Sequence, residues 1–141
     1  MIYESTIESV FFYGLFMDED LLRKKGLNPM GFKLACVAGY GLRIGERATL
    51  EISKTEEVFG SIMKLTAEEL GQLYGEESVA DYIPTRLSAT DMESNHVETI
   101  SYILPMERLS GRNPEYARAL ALVARRVGLP GTYLKTIEAW I

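Results

Sequence analysis

An α+β fold is what this chain predicts, and three observations carry the prediction. Strand-like segments fill the first two thirds of the sequence and are broken by short helices. Capped amphipathic helices then close it. No regular strand–helix–strand alternation runs through the 141 residues, so a parallel doubly wound sheet is not indicated.

Taken in order, Val10–Tyr13 reads as a short buried strand. Asp18 is an N-cap for a short helix through Leu21 and Leu22, with Gly26 as its stop. From Phe32 the apolar residues Phe32, Leu34, Cys36 and Ala38 fall at period two and predict a strand. Gly39, Gly41 and Gly45 are expected to interrupt it. Thr49–Ile52 and Val58–Leu65 read as two further strands, the second with Val58, Gly60 and Ile62 on one face.

Thr66-Ala67-Glu68-Glu69 is a capping box, because the threonine oxygen can accept an orphan amide while Glu69 reaches back. It opens a helix carrying Leu70, Leu73 and Tyr74, stopped by Gly75. Tyr82–Ala89 is extended, and Pro84 confines it to a sheet edge or a bulge. Val97–Leu104 alternates cleanly as a strand. Asn113 followed by Pro114 supplies an N-cap and a first-turn proline for a helix ending at Gly128. Its residues Leu120, Ala121, Val123 and Ala124 should face a core. A last short helix carries Tyr133, Leu134, Ile137 and Trp140.

Composition narrows the function classes. Hydrophobic residues make up 47% and charged residues 25%, which is the balance of an ordinary globular domain. A net charge of −5 gives no electrostatic support for nucleic acid or an anionic membrane as partner. The basic clusters Arg23-Lys24-Lys25 and Arg125-Arg126 sit late in predicted helices, where they complement the dipole. One cysteine excludes an internal disulfide framework and fits a reducing compartment. No apolar run approaches the roughly 20 residues of a membrane span. Glu4 and Glu8 replace the basic start of a signal peptide. A single cytoplasmic domain over residues 1–141 is the expectation.

Few residues look chemical. The one histidine, His96, stands at a strand start among Glu93, Asn95 and Glu98 and reads as a polar surface residue. Cys36, on the apolar period-two face, reads as a small core thiol. Gly39-Tyr40-Gly41 lacks both the glycine spacing and the following helix of a phosphate loop, and no His/Cys cluster suggests a metal. Glu76 and Glu77 differ from the other acids. They follow directly on a helix stop, and burial of one of two repelling carboxylates would raise its pKa toward a value useful in proton transfer. On residue types alone a solvated acidic loop is the better explanation.

Three segments add a resemblance. VFGSIMKLTAEELGQLYGEESVADY, residues 58–82, is similar to the central segment of the γ-glutamylcyclotransferase-like (AIG2-like) superfamily. FFYGLFM, residues 11–17, resembles its Tyr-Gly-Ser loop after the first strand. NPEYARALALVARRVGLPGTYLKTI, residues 113–137, resembles its C-terminal Pro-x-x-Tyr helix and Gly-Leu-Pro turn. The segments occur in the family's order.

The resemblance implies a small mixed β-barrel with flanking helices. It implies that Glu77, four positions after Leu73, is the catalytic general acid/base. It further implies that Tyr13, Gly14, Leu15 and Phe16 form a loop whose amides cradle the γ-glutamyl part of a substrate, with Tyr82 and Tyr116 beside it. Gly14 would let the chain turn there. The implied reaction cyclises a small γ-glutamyl amine or amino acid to 5-oxoproline and needs no cofactor. Leu15 stands where the family has serine, Tyr74 where it has aspartate and Ser78 where it has glycine. A ligand-binding or regulatory protein using the same pocket is the alternative. A third reading makes Phe11, Phe12 and Phe16 a subunit interface.

Overall fold

In the computed structural model, which describes residues 6–141, five strands close into a mixed barrel in the order β1-β3-β2-β4-β5. The strands are β1 (Ile7–Phe12), β2 (Met30–Ile44), β3 (Ala48–Thr66), β4 (Ile83–Asp91) and β5 (His96–Ile103). Neighbours run antiparallel except at the closing seam, where β1 and β5 are parallel with Val10 opposite Ile100. Four helices flank the barrel: α1 (Glu19–Lys24), α2 (Ala67–Leu73), α3 (Pro114–Val127) and α4 (Gly131–Glu138). The expectation resting on Glu4 lies outside the described residues.

The helix signals read from the sequence form as written. Asp18 accepts a bond from the Asp20 amide, and Asn113 accepts one from the Tyr116 amide. Both bonds of the Thr66–Glu69 capping box are present. Gly128 closes α3 at a φ of 96°, a left-handed conformation that glycine adopts without penalty. Pro84 lies on the stretch of β4 paired with β5 alone, since β2 meets β4 only at Thr90 and Asp91.

The strands depart from expectation in two ways. Thr49–Ile52 and Val58–Leu65 are parts of one continuous β3, and β2 runs through Gly39 and Gly41 to Ile44 without interruption. Gly39, at a φ of 87°, is a bulge where the register shifts between Ala38 and Tyr40, so the chain bends and keeps its pairing. The period-two face of β2 is also inverted. Ala35 and Val37 are buried inside, whereas Phe32, Leu34 and Cys36 lie half-buried on the other face and Ala38 is exposed. Phe32 and Leu34 could mislead because a barrel covered by helices wants apolar groups on both faces of a strand. Leu34 faces the Gly128 turn.

Phe11 and Phe12 are 1% and 2% exposed in the core, so neither can serve a subunit interface. Beside them, buried hydroxyls tie neighbouring segments through main-chain carbonyls. Ser101 Oγ donates to Phe11 O at 2.8 Å, across the parallel seam. Ser61 Oγ donates to Met17 O at 3.0 Å and anchors the turn that follows β1. Each bond satisfies a buried acceptor that would otherwise cost about 1–3 kcal/mol.

Candidate functional site

The chain leaves β1 through Tyr13 and Gly14 and makes a short 3-10 turn at Leu15–Met17. A cavity of about 400 Å³ opens against this turn. Tyr13, Gly14, Leu15 and Phe16 form one wall, the loop Glu46-Arg47-Ala48 another, and Tyr102 and Tyr116 the floor. Lys25 from the end of α1 and the segment after α2, with Tyr74, Glu76, Ser78, Val79 and Tyr82, complete it.

Gly14 has an extended backbone, with φ −105° and ψ −156°, so the turn does not need its conformational freedom. Space is the reason for it. A Cβ at this position would lie 2.6 Å from the Tyr116 hydroxyl. That hydroxyl accepts the Leu15 amide at 3.3 Å, and among the described residues its own proton has no acceptor. The glycine thus admits a phenol from α3 to the back of the turn, 101 residues away in sequence.

The cavity is rich in phenols that remain neutral. Burial, with smaller contributions from neighbouring tyrosines, holds the Tyr13 and Tyr74 hydroxyls far above their ordinary value. Burial likewise raises Tyr82 and Tyr102, and it pushes Tyr116 up to about 12. Tyr13 donates to Tyr102 O at 2.6 Å and Tyr82 to Ala48 O at 2.6 Å. The Tyr74 and Tyr102 rings stack at 3.7 Å with an interplanar angle of 10°, and Phe16 meets Tyr74 edge-on at 5.8 Å. Such phenols supply hydrogen bonds and shape, but none can take a proton near neutral pH.

Among the carboxylates, the one expected in the site lies outside the cavity. Glu77 is exposed and does not line the cavity. The carboxylate in the wall is Glu76, extended at φ −64° and ψ 140° just before a 3-10 turn at Glu77–Val79. One residue of extended chain before a helical turn is enough to send adjacent side chains in different directions. Glu46 is the other acid in the lining, and its carboxylate lies against Gly111. Glu76 meets Lys25 Nζ at 2.6 and 3.0 Å, and Lys25 also stands 5.7 Å from the centre of the Phe16 ring.

Arg47, also in the lining, makes several bonds within the protein. Its guanidinium meets both oxygens of Asp81 at 2.7 and 3.0 Å, donates to Ser78 O at 2.9 Å, and covers the Tyr82 ring. The hydrogen bond from Arg47 holds the Asp81 carboxyl below its ordinary range.

Six of the seven expected site residues therefore converge: Tyr13, Gly14, Leu15, Phe16, Tyr82 and Tyr116. Lys25, Arg47 and Tyr102 were missed, Tyr74 was noted only on its helix and as a departure from the motif, and Glu76 was singled out beside Glu77 without being placed in the site. The alternation of Val97–Leu104 could have exposed Tyr102. No local pattern marks Lys25 or Arg47. His96 is exposed, with Nδ1 3.4 Å from Thr90 Oγ1, and Cys36 is half-buried on the barrel's outer face. Among the described residues no three His, Cys, Asp or Glu side chains group as metal ligands, and no helix is long and apolar enough to cross a membrane.

Comparison with known proteins agrees with this architecture. Bovine γ-glutamylcyclotransferase is 26% identical over 97 residues, which cover 67% of this chain and 52% of that protein. The match thus spans about half the length of that relative. The crystal structure of an uncharacterised human protein superposes with a TM-score of 0.79 at 20% identity, covering 96% of this chain and 88% of that one. A γ-glutamyl cyclotransferase structure gives 0.78 at 18% identity, covering 96% and 89%. These likenesses establish the fold. The model of the AIG2-like family matches residues 57–137, more than half the sequence and including both Glu76 and Tyr116. With the barrel, the turn after β1 and that match together, the chain belongs to the AIG2-like family of the γ-glutamylcyclotransferase-like superfamily.

Proposed function

We propose that this protein cyclises a γ-glutamyl amine or γ-glutamyl amino acid to 5-oxoproline and releases the amine. The observation that carries the reading is a carboxylate, Glu76, in the wall of a cavity that also presents several neutral phenols and the turn after β1. Family membership and the bovine relative support the reaction class.

In this reading Glu76 takes one proton from the substrate's α-ammonium. The freed amine forms a bond to the γ-carbonyl carbon of the same molecule. The bond from that carbon to the leaving nitrogen breaks as Glu76 returns the proton to it. The second proton of the attacking nitrogen passes the same way, so the ring keeps one N–H and the amine departs as its ammonium. Five-membered ring closure needs orientation above all, which the packed tyrosines are suited to impose. The Tyr116 hydroxyl, with its proton uncommitted beside the Leu15 amide, is suited to meet the developing oxyanion. Leu15 makes the wall apolar and favours a leaving group of matching character.

The test is incubation with a panel of γ-glutamyl amino acids and amines, reading 5-oxoproline. Glu76→Gln should lower the rate by roughly 10²–10⁴. Glu77, which the motif resemblance assigns, is the control: if Glu77→Gln abolishes product and Glu76→Gln does not, the acid/base role moves to Glu77. Saturable binding of the panel without product would support a non-catalytic ligand-binding protein instead, a reading that Leu15 favours. Neither product nor binding would overturn both.

A further inference from the structure

We infer that Lys25 recognises the α-carboxylate of the γ-glutamyl ligand, making it a specificity-determining residue of this site; the inference rests on the cyclisation reading. Two cationic side chains line the cavity, Lys25 and Arg47. Arg47 is committed to Asp81, the Ser78 carbonyl and the Tyr82 ring. Lys25 is committed to one carboxylate, that of Glu76. The two members of that pair keep side-chain exposures of 32% and 38%, so a ligand can reach both without unfolding anything.

The chemistry of the ligand then selects the role. An α-amino acid headgroup carries an ammonium and a carboxylate on one carbon. Its ammonium must approach Glu76 for the reaction to start, so its carboxylate falls within about one residue's width of the same point. Lys25 Nζ, 2.6 Å from the Glu76 carboxylate, occupies that point. Insertion of the headgroup replaces one ion pair by a ring of four alternating charges with no change in net charge. It also gives Lys25 a second carboxylate to meet, which weakens its hold on Glu76, whose only cationic partner among the described residues it is. Lys25 is held for this by the aromatic face of Phe16 and by the end of α1, where a cation is favoured.

The experiment compares γ-glutamyl-ethylamide with its α-carboxamide analogue, which keeps the amine and loses the carboxylate charge. Released ethylamine reports on both. Wild type should favour the free carboxylate by roughly 10- to 100-fold in kcat/KM, mostly through KM, the usual scale for a hydrogen bond to a charged group. Lys25→Gln should bring that ratio close to one, whatever it does to the shared rate through Glu76, and Lys25→Arg should preserve most of it. An unchanged ratio in Lys25→Gln, with both compounds reacting, overturns the inference and leaves the cyclisation standing. If wild type releases amine from neither, titration calorimetry of the two compounds decides. Preferential binding of the carboxylate that Lys25→Gln loses upholds Lys25 and rejects turnover, and equal or absent binding rejects both.

Discussion

Two ion pairs border the cavity, and they are built to different ends. Arg47–Asp81 is a two-point fork with a third bond to Ser78 O and an aromatic ring beneath it. It binds the loop before β3 to the segment before β4 and commits both terminal nitrogens of the guanidinium within the protein. Lys25–Glu76 joins the ends of two short helices through one flexible ammonium. A fork fixes geometry, whereas a point charge on a four-carbon stem exchanges partners readily. The contrast teaches that charge in a pocket is not equivalent to charge available for chemistry.

The largest expected effect comes from removing the exchangeable carboxylate. Glu76→Gln should cost roughly 10²–10⁴ in kcat for 5-oxoproline formation, while Glu77→Gln should leave most of the rate, both read by product quantification. Equal losses in the two variants would erase the distinction between a cavity acid and a solvent-facing one.

Next is the turn after β1. Gly14→Ala puts a methyl against the Tyr116 hydroxyl and should destabilise by about 1–3 kcal/mol in urea unfolding, with a matching loss of ligand affinity. Tyr116→Phe removes the clashing atom, so Gly14→Ala should cost clearly less in that background. Strict additivity would show that the contact is not what demands glycine.

Substituting the cations separates the pairs by stability. Arg47→Met should lower the urea midpoint, since it strands Asp81 and the Ser78 carbonyl together. Lys25→Met breaks a pair that is about one-third exposed and should move the midpoint little, within the 0–1 kcal/mol or so typical of such pairs. A larger drop for Lys25→Met would reverse the assignment of roles.

The smallest effect is in acid. The hydrogen bond from Arg47 lowers the folded carboxyl of Asp81 below its unfolded value. Its contribution is therefore present above the unfolded value, near pH 4, and is lost as pH falls through the folded one. Unfolding midpoints taken from pH 6 down to pH 2.5 should fall less steeply for Asp81→Asn than for wild type. Parallel curves would mean that the pair contributes nothing to acid stability.

Much of this molecule was legible in local sequence. The caps at Asp18, Thr66 and Asn113 each need only residues two or three positions apart, and each forms as read. Six residues of the cavity followed from motif segments, because a turn after a strand and a tyrosine on a helix keep their places along the chain. Contacts between distant segments were not legible. Lys25 and Glu76 are 51 residues apart, and their meeting depends on how α1 and α2 seat on the barrel. The same holds for Glu76 against Glu77, which differ by one position in sequence and by the side of the chain they face.

The sequence by itself determined an α+β chain with capped helices, an apolar first strand and a glycine turn beside tyrosines. Periodicity and capping are short-range, so they survive without knowledge of the fold. Tertiary structure alone decided that the two strands after Ala48 are one, that Ala35 and Val37 rather than Phe32 and Leu34 face the barrel interior, and that Gly14 is there to make room for Tyr116. Barrel closure sets which face of a strand is inside and which side chains share a wall. That closure is the sum of long-range pairings that no local pattern encodes.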